Sequence, residues 1–187
     1  RGGIAANTNS ALELAQGEYV LFLDHDDVLH ADALASLAAL VNAWGEQDIV
    51  YSDHDYIGTD GYRRNPFFKP DWSPDLFLAQ MYLGHFVAIR RRVIAEAGGL
   101  RSGCDGSQDY DLVLRCIARG ARVSHIPRVL YHWRQHENST AANPGSKPYA
   151  HEAGRRAIQH YLDAQNPGAV AGDGEHLFTY DVRYPLP

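Results

Sequence analysis

The sequence lacks the features that mark disulfide-rich, membrane-spanning and nucleic-acid-binding proteins. Its two cysteines, Cys104 and Cys116, are too few for a disulfide framework or a zinc site built from CxxC pairs, so we expect a reducing compartment. The longest strongly apolar run, from Tyr19 to Leu23, is far too short to span a bilayer, and no signal peptide is recognisable. The net charge of -6 indicates no nucleic-acid partner.

Methionine is almost absent, since Met81 is its only occurrence. The chain opens directly into a helical pattern and ends on Tyr184-Pro185-Leu186-Pro187, so we expect both ends to be cuts within a longer polypeptide. The length of 187 residues suffices for one domain with a substantial core. We assign residues 1–165 to one domain and 166–187 to a linker toward a following domain.

Helical and strand-like segments alternate along the chain. The spacing of apolar residues predicts helices over 4–15 and 31–44, each followed by a short apolar run typical of a buried strand, at 18–23 and 48–52. This alternation predicts an α/β fold. Such sheets place their binding sites at the carboxyl ends of the strands, where this chain has acidic residues after both runs.

The first of these acidic segments contains three carboxylates in four residues, Asp24, Asp26 and Asp27. Carboxylates so close together repel each other and favour a compensating hard cation such as Mg²⁺ or Mn²⁺. The alternative is that they only form a turn and cap the next helix. The buried strand in front of them favours a metal site.

A second acidic candidate, Asp109, lies at the start of a helix predicted from Ser107 to about Arg119. It could be a general base that removes a proton from an acceptor hydroxyl, or only a helix cap. The helix N-terminus lowers the pKa of a carboxylate, which by itself favours capping rather than base catalysis.

The segment after the last predicted strand combines basic and hydroxyl side chains. Arg134 suits a phosphate group, His136 is a candidate metal ligand, and Ser139 falls in the same register. A solvated loop is the simpler alternative. Elsewhere, Trp72 in an aromatic and proline-rich stretch is a candidate for stacking on a sugar or for simple packing, and His85 is a candidate border of a donor sugar.

Several short segments follow one another in a fixed order along most of the chain. They are 2–9, Gly17-Glu18-Tyr19-Val20, Leu23-Asp24-His25-Asp26-Asp27, Tyr51-Ser52-Asp53-His54-Asp55, 68–75, Gly98-Gly99-Leu100, Gln108-Asp109-Tyr110-Asp111-Leu112 and Tyr131-His132-Trp133-Arg134. Taken in order, these segments resemble family 2 of the inverting glycosyltransferases, which have the GT-A fold. The specificity of the resemblance comes from the ordered set rather than from any one motif. It is closest to bacterial enzymes that build O-antigen, rhamnan and other cell-surface polysaccharides, often as tandem domains.

The resemblance implies part of a GT-A domain with a mixed, mostly parallel sheet flanked by helices, whose first nucleotide-binding strands would lie upstream of residue 1. We therefore expect the isolated chain to be inactive. The implied reaction is metal-dependent transfer of a sugar from a nucleotide-diphosphate sugar to a saccharide or lipid-linked saccharide. The implied roles are catalysis for Asp109, metal binding for Asp26 and His136, donor binding for Asp24, Arg134, Ser139 and His85, and acceptor binding for Trp72 and Gln108.

Gln108 is a departure, because the family pattern often has an acidic residue before the catalytic aspartate. The resemblance also implies work in the cytoplasm, at the cytoplasmic face of the inner membrane if the longer protein is peripherally attached. Two other interpretations stay open at this point. Asp24-His25-Asp26 and Asp53-His54-Asp55 could hold the two metals, about 4 Å apart, of a phosphoesterase. The chain could also be a non-catalytic scaffold domain of a tandem transferase.

Overall fold

The structure is a computed structural model that describes residues 3–135 and 148–186. Its strands are β1 (Tyr19–Leu21), β2 (Val28–Leu29), β3 (Ile49–Ile57), β4 (Arg63–Phe67), β5 (Val87–Arg90), β6 (Val123–Arg134), β7 (Val170–Asp173) and β8 (Tyr180–Arg183). Its α-helices are α1 (Ile4–Leu14), α2 (Ala33–Trp44), α3 (Pro74–Ala79), α4 (Arg91–Glu96), α5 (Gln108–Ile117) and α6 (Pro148–Gln165). None of these helices is both long enough and apolar enough to cross a membrane.

A six-stranded sheet in the order β1-β5-β3-β6-β2, with β4 added beside β3, forms the centre of the domain. The α/β class with a mixed sheet and flanking helices is confirmed. The expectation of mostly parallel pairs is wrong, because in the described chain only β3 and β6 pair in parallel. The chain passes from β3 to β4 through a short turn at 58–62, which can join only antiparallel strands, and β5 enters between β1 and β3 against both.

The central strand β3 is longer than the sequence predicts. Asp53, His54 and Asp55 were expected in a loop, but they continue the strand because β6 pairs with it through this region. All three are buried, so their polar side chains need partners within the protein. Its partner β6 is a single long strand, and the pairing of the two shifts register between Ser52 and His54 of β3.

The hydrophobic core covers both faces of the sheet because successive residues of a strand point to opposite sides. Ile49 and Tyr51 of β3 belong to a cluster with residues of α5 and α6, such as Leu112 and Ile158. Val50 belongs to a smaller cluster on the face covered by α2.

The segment 166–187 was predicted to be a linker, and this is wrong for its central part. Strands β7 and β8 form an antiparallel hairpin, and Ala169, Ala171 and Tyr180 are buried in the same cluster as α5 and α6. Gln159 of α6 fixes the hairpin, since its amide donates to the Ala169 carbonyl (3.1 Å) and its oxygen accepts from the Ala171 N–H (2.9 Å). Two of the buried residues are alanines, whose small side chains gave little apolar signal. That a further domain follows stays a prediction.

The loop of this hairpin contains a backbone outlier. Phe178 has a φ of 64°, which is rare for a bulky residue and costs on the order of 1 kcal/mol or more. Its N–H donates to Nδ1 of His151 on α6 (3.0 Å), and the His151 ring stacks on Tyr180 at 5.0 Å. Contacts with α6 therefore hold Phe178 in this conformation.

Candidate functional site

The acidic turn, residues 24–27 between β1 and β2, is fixed by two hydrogen-bond donors from β6. The Tyr131 hydroxyl donates to Oδ2 of Asp27 (2.5 Å) and accepts from the Asp24 N–H (3.3 Å). The Arg134 N–H donates to Oδ1 of Asp27 (2.7 Å). Burial raises the pKa of Asp27, and these two hydrogen bonds oppose the rise. Asp27 thus connects the acidic turn to the middle of the sheet.

Replacing Tyr131 by phenylalanine tests this connection. Tyr131 is fully buried, so loss of its hydroxyl removes two hydrogen bonds and leaves Asp27 less well satisfied. We expect the free energy of unfolding to fall by about 2 kcal/mol in chemical denaturation. Tyr62→Phe is the matched control, because Tyr62 is 73% exposed and should change stability by less than about 0.5 kcal/mol. Equal stability of the two variants would contradict this assignment.

The acidic turn faces the imidazole of His85. Asp24, Asp27 and His85 each offer a ligand atom, and these atoms lie within 4.8 Å of one another. The Nε2 atom of His85 is 3.9 Å from Oδ2 of Asp24, and its ring stacks on Tyr131 at 4.9 Å. Within residues 3–135 and 148–186, this is the one group of three acidic, histidine or cysteine side chains with such geometry. Two carboxylates and one imidazole fit a divalent cation such as Mn²⁺.

Two other predicted site residues, Asp26 and Arg134, contact each other at the acidic turn. The Asp26 carbonyl accepts a hydrogen bond from Nε of Arg134 (2.7 Å), so Arg134 braces the turn. The Asp26 carboxylate lies 3.8 Å from Nδ1 of His25 and its side chain is 28% exposed. His136 and Ser139, which were predicted to complete the site, lie outside the described residues.

A buried lysine that was not predicted as a site residue anchors the backbone of His85. The ammonium group of Lys69 donates to the carbonyls of Ser52 (2.5 Å), His85 (2.6 Å) and Leu83. Burial lowers the pKa of Lys69 to about 7, and the nearby Asp53 carboxylate opposes this. Lys69 is only 6% exposed. Its place in an aromatic and proline-rich stretch gives no sign of this burial, so it was not predicted from the sequence.

His54 is a second anchor of the same backbone. Its Nδ1–H donates to the His85 carbonyl (3.1 Å), and burial lowers its pKa to about 3, so it is neutral. Its ring stacks on Phe67 at 5.2 Å. Lys69 and His54 thus fix the backbone carbonyl of His85, and Tyr131 packs against its ring.

The side chains of the second acidic segment, Asp53-His54-Asp55, bind other groups of the described part of the chain. Oδ1 of Asp53 contacts Nε2 of His125 (2.8 Å) and accepts the Lys69 N–H (2.9 Å). Oδ1 of Asp55 contacts Nδ1 of His132 (2.5 Å). Within residues 3–135 and 148–186, Asp53, His54 and Asp55 belong to no group of three ligand side chains as closely spaced as Asp24, Asp27 and His85, so the phosphoesterase interpretation lacks its second group of ligands.

Two clefts meet at Asp109 and His85. Cleft A, about 480 Å³, lies among α1, β1 and the start of α5, and Asp24 and Gln108 also line it. Cleft B, about 430 Å³, is lined by aromatic side chains and by the hairpin of β7 and β8. Four predicted site residues, Asp24, His85, Gln108 and Asp109, are thus brought to one cleft.

Asp109 is held at this junction by the first turn of α5. Its Oδ1 accepts the Tyr110 N–H (2.8 Å), while the Tyr110 ring is buried in the core. The Ser107 hydroxyl does not cap the helix but donates to the Ala150 carbonyl of α6 (2.7 Å). Oε1 of Gln108 accepts the Gly106 N–H (2.7 Å). The helix therefore starts on a braced loop, which leaves Asp109 facing the two clefts.

Trp72 is not among the residues that line either cleft. Its ring packs on Phe77 (5.2 Å between ring centres) and lies near Tyr82 (6.4 Å), beside the core. The neighbouring Phe67 lines cleft B. The aromatic stretch therefore reaches the clefts through a different residue from the one predicted.

Comparison with known proteins gives the context for this arrangement. The sequence model of the family described as "Glycosyl transferase family 2" matches residues 1–98. The chain is 42% identical over 99% of its length to the uncharacterized protein y4gI of Sinorhizobium fredii (strain NBRC 101917 / NGR234), covering 21% of that protein. It is 38% identical over 99% of its length to the O-antigen biosynthesis protein RfbC of Myxococcus xanthus, covering 14% of it.

The fold has counterparts among solved structures. S. aureus TarS, in complex with UDP-GlcNAc, superposes with a TM-score of 0.63 and 20% identity, covering 86% of this chain and 47% of that one. At this identity the likeness shows the fold alone. The chain spans about a fifth or less of the length of the two curated relatives above. The family match extends over more than half of the chain, and the chain therefore belongs to glycosyl transferase family 2.

Proposed function

We propose that this chain is part of an enzyme that transfers a sugar from a nucleotide-diphosphate sugar to a saccharide acceptor with inversion, in the synthesis of a bacterial surface polysaccharide. The observation that carries the proposal is the meeting of Asp24, His85 and Asp109 at one cleft. A cation-binding group and an isolated carboxylate at a shared cleft are what glycosyl transfer with a diphosphate leaving group needs.

The acidic turn and His85 hold the diphosphate end of the donor. A divalent cation bound by this group would neutralise the negative charge of the leaving diphosphate. Family resemblance assigns the cation to Asp26 with His136, whereas the described geometry gathers Asp24, Asp27 and His85. Both assignments use the acidic turn. Arg134 fixes that turn, and Ser139 is the further donor contact that the resemblance implies.

Asp109 acts as the general base in this proposal. It takes the proton of an acceptor hydroxyl, whose oxygen forms a bond to the anomeric carbon while the bond from that carbon to the diphosphate oxygen breaks. The two groups must act from opposite faces of the sugar, so its configuration inverts. The position of Asp109 between two clefts suits this role, because it can face an acceptor in one and a donor in the other.

The names of the similar proteins support the setting. RfbC is named for O-antigen biosynthesis, and TarS is seen with a UDP-sugar. We therefore propose a saccharide or lipid-linked saccharide as the acceptor of the full-length protein. Such work would take place in the cytoplasm, at the cytoplasmic face of the inner membrane if the longer protein is peripherally attached.

Calorimetric titration of UDP into the chain in the presence of Mn²⁺ tests the donor site. We expect binding that weakens at least tenfold in Asp24→Asn and in Asp26→Ala, since each removes a carboxylate from the acidic turn; tenfold corresponds to about 1.4 kcal/mol. Asp60→Asn is the control, because Asp60 pairs with Arg64 in the turn between β3 and β4. A larger loss of UDP affinity in Asp26→Ala favours the ligand set implied by the resemblance, Asp26 with His136. A larger loss in Asp24→Asn favours the set Asp24, Asp27 and His85.

Binding of equal strength in all four proteins would contradict a donor site at the acidic turn. A scaffold role would gain support if the full-length protein with Asp26→Ala made the same products as the wild type.

A further inference from the structure

Cleft B is walled by aromatic rings from separate parts of the fold. Tyr56 of β3 and Trp133 of β6 stack on each other at 5.8 Å, and Phe67 of β4 stacks on His54. The loop and strand of the hairpin add Phe178 and Tyr180. The rings thus surround one space that ends at Asp109.

We propose that cleft B binds the acceptor sugar and that the hairpin of β7 and β8, through Phe178, selects it. The inference rests on the proposed function, because it takes Asp109 as the base. The hairpin has no role in the proposed donor site, and this inference gives it one in acceptor binding. It also assigns acceptor recognition to aromatic residues other than Trp72.

The chemistry of the cleft suits a sugar ring. The faces of aromatic rings are electron-rich and pack well on the C–H faces of sugars. Gln80 lines the same cleft, and its side-chain amide can donate to and accept from sugar hydroxyls. The hydroxyls of Ser107 and Thr179 also line it; they already donate to the carbonyls of Ala150 and His176, so they can accept hydrogen bonds from a sugar. The volume of about 430 Å³ lies within the range of small-molecule sites, which are mostly apolar with a few polar groups.

The position of the cleft suits an acceptor rather than a donor. Asp109 lines cleft B, so a hydroxyl of a sugar seated there can meet the base. Asp24 of the acidic turn lines cleft A, so the diphosphate of the donor would lie in cleft A. His85 borders both clefts, close to where the two substrates would meet.

The backbone of the hairpin loop supports the role of Phe178. A strained conformation persists only where the surroundings enforce it, and such residues cluster at binding sites. Here the hydrogen bond from the Phe178 N–H to His151 (3.0 Å) and that from the Thr179 N–H to the His176 carbonyl (3.0 Å) enforce it. The hairpin also lies beyond residues 1–98, the part matched by the family. Selection of the acceptor therefore belongs to a segment separate from the acidic turn.

Phe178→Gly is the decisive variant, since glycine accepts the positive φ and the loop keeps its conformation without the ring. Binding of methyl glycosides of rhamnose, glucose, galactose and N-acetylglucosamine would be followed by saturation-transfer NMR on this chain. We expect at least one glycoside to bind the wild type, and its Kd to rise at least tenfold in Phe178→Gly. Phe67→Ala, at a ring that is 41% exposed, should weaken the same glycoside.

Val170→Ala is the matched control in the same hairpin, because Val170 is 56% exposed and does not line cleft B. It should bind the glycoside as the wild type does. The proposal is overturned if no glycoside binds the wild type, or if Phe178→Gly and Phe67→Ala bind as tightly as Val170→Ala. UDP binding with Mn²⁺, measured on the same samples, should be equal in all of them. If the wild type does not bind UDP, that result counts against the proposed donor site and leaves the acceptor proposal to be judged by glycoside binding.

Discussion

Replacing Asp109 by asparagine should lower kcat of the full-length protein about a thousandfold while leaving UDP binding intact. Asparagine has nearly the same shape and can still accept the Tyr110 N–H, but it cannot take a proton from an acceptor hydroxyl. General-base catalysis contributes on the order of a hundredfold to ten thousandfold. The measurement is release of UDP from UDP-sugars, with binding followed separately by calorimetry.

Asp75→Asn is the control for this variant. Asp75 is also a carboxylate in the first turn of a helix, α3, but it is exposed and outside both clefts. If Asp109 serves only its helix, both variants should lose a few tenths of a kcal/mol of stability and neither should lose activity. That result would remove the catalytic role from Asp109.

Replacing Lys69 by methionine should lower the free energy of unfolding by about 3 kcal/mol. The change keeps most of the apolar volume but leaves the carbonyls of Ser52, Leu83 and His85 without their shared donor. It also removes a positive charge close to the buried carboxylate of Asp53. A buried acceptor left without a donor typically costs about 1–3 kcal/mol, and relief of the buried ammonium offsets part of the sum. Urea denaturation measures the change.

Arg119→Met is the matched control, because Arg119 is exposed and donates to a single carbonyl, that of Arg115 (3.1 Å). It should change stability by less than about 0.5 kcal/mol. The anchoring role also predicts weaker UDP binding with Mn²⁺ in Lys69→Met, since His85 loses its support. A Lys69→Met protein as stable as Arg119→Met would show that the carbonyls find other partners.

The parts of the site that depend on neighbouring residues could be predicted from the sequence. The acidic turn follows β1 directly, and Asp109 follows a helix-start pattern, so both were found from local spacing. The family assignment was confirmed for the same reason, because its motifs are short and ordered. Their detailed roles as ligand and base stay predictions.

The parts that depend on distant contacts could not be predicted. Nothing near Lys69 in the sequence shows that three carbonyls from two other segments surround it. The hairpin was missed because its buried residues include small alanines, and a strand of that kind has little apolar signal. The expectation of a mostly parallel sheet failed at β5, because the apolar pattern of a buried strand is the same for parallel and antiparallel neighbours.

His85 and Asp109 form a wall common to both clefts, so we expect binding in one cleft to be thermodynamically linked to binding in the other. A molecule that stiffens or shifts this wall from one side changes the free energy of binding on the other. Linkage is reciprocal, so whatever factor the first molecule imposes on the affinity of the second is imposed in return. Lys69 and His54 hold the backbone carbonyl of His85, and His85 lines both clefts, so we expect its side chain to transmit part of this coupling.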